Sequence, residues 1–266
     1  MYAYLLTDGR RTGSGGLSPR SVRYIATILG KAFSDAVKKG ILSRNVALAA
    51  DPPSAKSARP PEMQTWTPAE LATFLHQNKG DTLFTLFRVA SMTGLRRGEV
   101  CGLRWPDLDL EEGKLSVRQQ LATDDHVPRF GSVKTEQGER TLDLDAETVA
   151  VLRDLRRRQA AERLAAGPVY QSLNLVFSKY DGSPLHPEAV SKVFARRVAK
   201  SELPRLRFHD LRHTHATHLI AAGVHVKVVS ERLGHASVAF TLDRYGHVLP
   251  NLQSDAATAV ALLVDG

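Results

Sequence analysis

Cysteine is almost missing from this chain of 266 residues. Cys101 stands alone, which excludes a disulfide framework and any cysteine-based zinc or iron–sulfur site. Long apolar runs are missing as well. No stretch approaches the roughly 18 uninterrupted apolar residues of a membrane-spanning helix. Residues 1–16 lack the basic, apolar and small-residue succession of a secretory signal. Acid is scarce at one end only. Residues 1–60 hold ten Lys/Arg against three Asp/Glu, a net +7, whereas residues 61–266 hold 26 against 25, a net +1. A short basic segment ahead of a nearly neutral remainder points to a polyanionic partner, nucleic acid before others. With 42% hydrophobic residues the chain can bury a core, and its length predicts two domains.

The predicted elements are mostly helices. Ser18 at the N-cap, Pro19 at the first position and Gly40 as a stop frame a helix. Val22, Ile25, Ala26, Leu29, Phe33, Ala36 and Val37 form its apolar stripe. Arg20, Arg23, Thr27, Lys31, Ser34 and Lys38 form the opposite face, which reads as basic, free of acid and suited to phosphate contact. Tyr2 to Leu6 reads as the last turn of an apolar element, so a shortened N-terminal domain is expected over residues 1–50. Pro52, Pro53, Pro60 and Pro61 mark a stiff, extended linker, 51–65. Beyond it, Thr67 and Glu70 spell a capping box. Residues 66–266 read as a helical domain interrupted by one small sheet of three short strands, around Leu115/Val117, Val127 to Val133 and Thr141 to Leu144. The fold class is therefore α+β, predominantly helical.

Eight of the ten histidines follow residue 180, and His209, His213, His215 and His218 crowd one helix. His209 and His213 have a spacing that can bind zinc, yet no glutamate follows as in HExxH and Arg212 sits between them, which disfavours a metal. A cationic, metal-free site reads better. Arg212 can fork onto two phosphate oxygens, and His209, three residues earlier on the same face, can exchange a proton near neutral pH. Thr93-Gly94-Leu95-Arg96 and Leu233-Gly234-His235 place an arginine and a histidine just after helix-ending glycines. His213, His215 and His218 read as packing or surface residues, and Trp66 and Trp105 as core.

The ordered set TGLRRGE, VKTEQGERTL, HDLRHTHATHL, LGHASV and TLDRYGH resembles the catalytic domain of the tyrosine recombinases, the phage integrase family, from about residue 18 onward. The resemblance implies that Arg96 and Arg212 hold a scissile phosphate, joined by His209 and His235. It makes Lys134 the hairpin lysine, Tyr245 the nucleophile and Glu99 a supporting acid; Tyr245, between Arg244 and His247, reads as having an exposed hydroxyl. The chemistry is coherent. Two arginines and a histidine stabilise the charge of a five-coordinate phosphorus. Forming a phenolate at pH 7 costs about 4 kcal/mol, which His209 as base and the arginines would offset. Lys134 could protonate the leaving 5′ oxygen. Energy kept in a 3′-phosphotyrosyl bond removes any need for a cofactor.

The implied function is a site-specific DNA recombinase, an integrase of a mobile element acting in the cytoplasm on nucleoid or phage DNA. A relaxing enzyme of the type IB topoisomerase kind and a non-cutting DNA-binding derivative are the alternatives. The implied partners are double-stranded DNA, three further copies in a tetramer on DNA, and accessory DNA-bending or excision factors, with no membrane. The basic residues Arg20, Arg23, Lys31 and Lys38 would grip phosphates, and a helix over Asp255 to Leu263 would dock on its own domain or on a neighbour.

Overall fold

The computed structural model describes residues 1–58, 63–124, 127–133, 138–246, 260–262 and 264. The chain divides into two compact units, Met1–Glu62 and Met63–Gly266. Among the described residues no helix is long and apolar enough to cross a membrane.

The first unit pairs a short helix α1 (Tyr2–Asp8) with α2 (Pro19–Lys38). Ser18 caps α2 by accepting from the Ser21 amide, 3.2 Å, and Pro19 needs no amide partner there. Asn45 folds the following chain back onto α2, donating to Gly30 O and Ser34 Oγ at 2.8 Å each. Two expectations change in this unit. The basic face of α2 is not free of acid, because Lys31 pairs with Asp35 at 3.2 Å. Four residues on is the same helical face. The proline-rich stretch is not wholly extended either: the Ala58 amide donates to Ser54 O at 3.1 Å and closes a turn.

The second unit is α+β and predominantly helical. It opens with α3 (Pro68–Gln77), where Thr67 and Glu70 form the expected capping box. α4 (Phe84–Thr93) and α5 (Arg97–Gly102) follow, then β1 (Leu108–Asp109), β2 (Lys114–Val117), β3 (Gln119–Asp124), β4 (Val127–Ser132) and β5 (Arg140–Asp143). Then come α6 (Ala146–Ala166), α7 (Pro187–Lys200), α8 (Asp210–Ala221), α9 (Val226–Leu233) and α10 (Val238–Tyr245). Trp66, Phe74, Phe87, Phe194 and Phe208 form the aromatic centre of the core, with ring centroids 5.0 to 5.9 Å apart. Trp66 also fastens α8. Its amide donates to Thr214 Oγ1 at 3.2 Å, and its carbonyl lies 2.8 Å from His218 Nε2.

The three-stranded antiparallel sheet is present, in the order β1-β2-β5, but with a different membership from the one expected. Leu115 faces Leu142 and Val117 faces Arg140, so the first and last expected strands pair directly. The middle one leaves the sheet to form a hairpin with Gln119–Asp124, a strand the sequence reading did not contain. Of that hairpin only Leu121 is buried. A strand with one apolar anchor has no alternation to detect.

Candidate active site

Two helices end on glycines in the left-handed region, and each delivers a charged or titratable residue to the same place. Gly94 (φ 65°) ends α4 two residues before Arg96, and Gly234 (φ 63°) ends α9 one residue before His235. Neither could carry a side chain without strain. At Gly94 space forbids it too, since a Cβ would lie 2.7 Å from His215 Cδ2 and from Leu233 Cδ2. Gly94→Ala should therefore lower the unfolding free energy by about 2–3 kcal/mol, measured by urea denaturation; an unchanged midpoint would refute this account of the turn.

Arg212, buried on α8, bridges the two turns. Its Nη1 donates to Gly94 O at 2.8 Å and its Nη2 to Leu233 O at 2.5 Å. Arg96 Nη2 donates to Gly234 O at 3.0 Å, so the two guanidiniums reach carbonyls of consecutive residues. Burial, and then the Arg96 charge, push Arg212 down to about 9, which leaves it charged at neutral pH. Two guanidiniums are held close together here, and each lowers the cost of placing an anion beside the other.

Glu99 holds Arg96 in place and joins it to Arg140. It accepts from the Arg96 amide and Nη1, both 2.8 Å, and from Arg140 Nη2 at 2.9 Å. Burial would raise its pKa, but the hydrogen bonds and charge of Arg140, followed by those of Arg96, hold it below the usual carboxylate range. It is a fixed anion that orients a guanidinium. Arg140 in turn reaches α9 through Arg232 O, 2.8 Å.

His235 is buried beside this pair, with Nδ1 2.8 Å from Thr241 Oγ1. Burial, then Arg212 and Arg96, push it down to about 3, so the ring is neutral. A neutral ring that accepts from Thr241 at Nδ1 presents an N–H at Nε2. His209 is exposed at the N-cap of α8, and desolvation, then Arg212, lower its pKa as well.

Tyr245 ends α10 and is 1% exposed, contrary to the exposed hydroxyl that Arg244 and His247 on either side implied. Its ring is stacked on His235 at 6.4 Å between centroids. Its hydroxyl lies 2.7 Å from His213 Nδ1. Desolvation raises its pKa.

Beside His209 runs a groove of about 880 Å³ lined also by Arg97, Lys192, Arg205 and Arg207, with Glu202 as its acid. Residues 68–251 match the model of the phage integrase family. The chain belongs to that family.

Relatives of this integrase-family chain include a tyrosine recombinase XerC-like protein of Caldanaerobacter subterraneus subsp. tengcongensis, 30% identical over 91% of this chain and 66% of its own length. The ICEBs1 integrase of Bacillus subtilis is 32% identical over 91% of this chain and 65% of its own length. The chain thus spans just under two thirds of these relatives. Among solved structures, the Tn1549 transposon integrase in complex with a circular intermediate DNA has a TM-score of 0.77 at 24% identity, covering 93% of this chain and 80% of that one. XerA recombinase has a TM-score of 0.59 at 21% identity over 91% and 83%. At these identities the likeness is one of fold.

Of the residues expected in an integrase-family site, Arg96, Glu99, Arg212, His235 and Tyr245 lie in one connected network, and His209 stands at its edge. Lys134 lies outside the described residues, as does most of the expected helix Asp255 to Leu263. Two members were missed. Arg140 lies within VKTEQGERTL, where the resemblance implies a part for Lys134 alone. His213, read as packing or surface, is the residue on the Tyr245 hydroxyl. Arg20, Arg23, Lys31 and Lys38 are all exposed on α2, and Arg23 donates to Pro53 O at 2.8 Å.

Proposed function

We propose that this protein is a site-specific DNA recombinase that cuts and rejoins duplex DNA through a 3′-phosphotyrosine bond on Tyr245. The observation that carries the reading is Arg96 and Arg212 meeting at the Leu233–Gly234 turn, which leads directly into His235. In the proposed reaction the phosphate takes the place between the two guanidiniums. Tyr245 Oη forms a bond to phosphorus as the bond to the 5′ oxygen breaks. The arginines and the His235 N–H stabilise the added negative charge. The phenol proton leaves to His209 or to water, and Lys134 protonates the departing 5′ oxygen. Rejoining reverses these steps, so no cofactor is consumed.

Phosphates flanking the cut would follow the groove of Arg97, Lys192, Arg205 and Arg207, and the first unit, acting as a core-binding segment, would add Arg20, Arg23, Lys31 and Lys38. Four copies on DNA, together with accessory bending or excision factors, fit a reaction that exchanges two duplexes, and the site of action would be bacterial or phage DNA in the cytoplasm.

The test uses nicked suicide duplexes of randomised sequence. The protein should form detergent-stable adducts whose sequences define a site and whose nucleotide-bearing peptide contains Tyr245. The absence of any such adduct, or its appearance on another residue, would overturn the proposal.

A further inference from the structure

Among the described residues the hydroxyl of Tyr245 has one polar side-chain partner, and it is neither of the two arginines. His213 sits one residue after Arg212 and four after His209 on α8, buried, with Nδ1 2.7 Å from Tyr245 Oη. Its ring meets that of His209 edge-on at 5.3 Å and that of Tyr245 at 5.8 Å. The Tyr245 ring is held on its other contact by His235.

We infer that His213 is the positioning residue for the nucleophile: its Nδ1 accepts the Tyr245 hydroxyl hydrogen and so fixes the oxygen relative to the guanidinium of the adjoining Arg212. The inference rests on Tyr245 being the nucleophile.

A phenol on an otherwise apolar contact surface swings its O–H freely about the C–O bond and lets the ring tilt. A single acceptor at 2.7 Å selects one arrangement. Because acceptor and phosphate clamp are neighbours on one helix, the oxygen and the phosphate site move as one body. Reactions of this kind lose about two orders of magnitude for a displacement of about 1 Å. Burial, then His209 and Arg244, push His213 down to about 4, so its ring is neutral and has a free lone pair. Tyr245 is displaced the other way. The proton therefore stays on oxygen in the resting protein, and His213 aims the hydroxyl without deprotonating it.

The acceptor position can be tested by side-chain length. Asn carries an amide oxygen near the place of Nδ1, Gln carries one near Nε2, and Phe keeps the ring with no acceptor. Single-turnover adduct formation on the selected suicide duplex is measured for H213N, H213Q and H213F, with rates referred to the folded fraction and DNA affinity measured separately. H213F and H213Q should cleave about 30- to 100-fold more slowly than the parent, H213N should stay within about fivefold of it, and DNA affinity should change less than about twofold.

Cleavage by H213F at the parental rate or faster would overturn the inference, the faster outcome marking the bond as a resting lock. So would equal loss in H213N and H213F, which marks packing alone. A parent protein that forms no Tyr245 adduct overturns the functional reading, and the inference with it. A parent adduct with an indifferent H213F overturns the inference alone.

Discussion

Tyr245→Phe is expected to lower covalent DNA cleavage by at least about 10⁴-fold, with DNA affinity and fold retained. The magnitude follows from deleting the only atom that can make the proposed protein–phosphorus bond; losing a nucleophile that acts within a set removes most of what the set achieves. The fold survives because the ring is kept. It packs with Ala216, Ile220, Val229 and Leu233, and Phe fills the same space. What disappears is the oxygen facing His213, and an acceptor deprived of its donor costs about 1 kcal/mol. Gel detection of adducts, beside a thermal melt and a binding titration, reads all three quantities. Any detergent-stable adduct from this variant would place the nucleophile elsewhere.

Arg212→Ala should fail in two ways at once. Cleavage should fall by about 10³-fold or more, the loss of about 4 kcal/mol of transition-state stabilisation. The unfolding free energy should fall by about 2–4 kcal/mol, because Gly94 O and Leu233 O lose their donors in a buried place. Arg212→Lys restores charge but offers a single ammonium where two carbonyls stand on separate turns. It should recover part of the stability and little of the rate. Urea denaturation and single-turnover cleavage on the same preparations decide the matter. Full stability in the alanine variant would mean that the guanidinium does not tie the turns together.

Much of this was legible in the chain itself. Caps at Ser18 and Thr67, the helix-ending glycines at 94 and 234, and the apolar stripe of α2 are local features, written within a few residues. The site was legible as an ordered set of motifs. The missed parts depend on what meets across the fold. His213 shares a helical face with His209, which spacing shows, but its partner lies 32 residues further on and spacing is silent about that. Arg140 stands in the same motif as Lys134, and its bond to Glu99 spans 41 residues, which no local pattern encodes. Tyr245 was expected to be exposed because its sequence neighbours are polar, whereas exposure is decided by α8 and α9 packing over α10. The strand Gln119–Asp124 escaped because one buried leucine makes no pattern. The Lys31–Asp35 pair, by contrast, is a local i,i+4 feature that the helical wheel contains.

The two anchors of Arg212 lie on opposite sides of it in the chain, Gly94 before and Leu233 after, so they become available at different times in synthesis. A nascent chain that has reached the end of α8 already contains both arginines and His209. It lacks Leu233 O, the α9 turn and Tyr245. Its phosphate grip has Gly94 O and Glu99 to hold it but only half of the Arg212 clamp, and nothing to attack with. Contacts spanning 118 residues form only after the intervening chain has condensed. On the proposed chemistry, a chain made only as far as α8 can touch DNA without being able to break it.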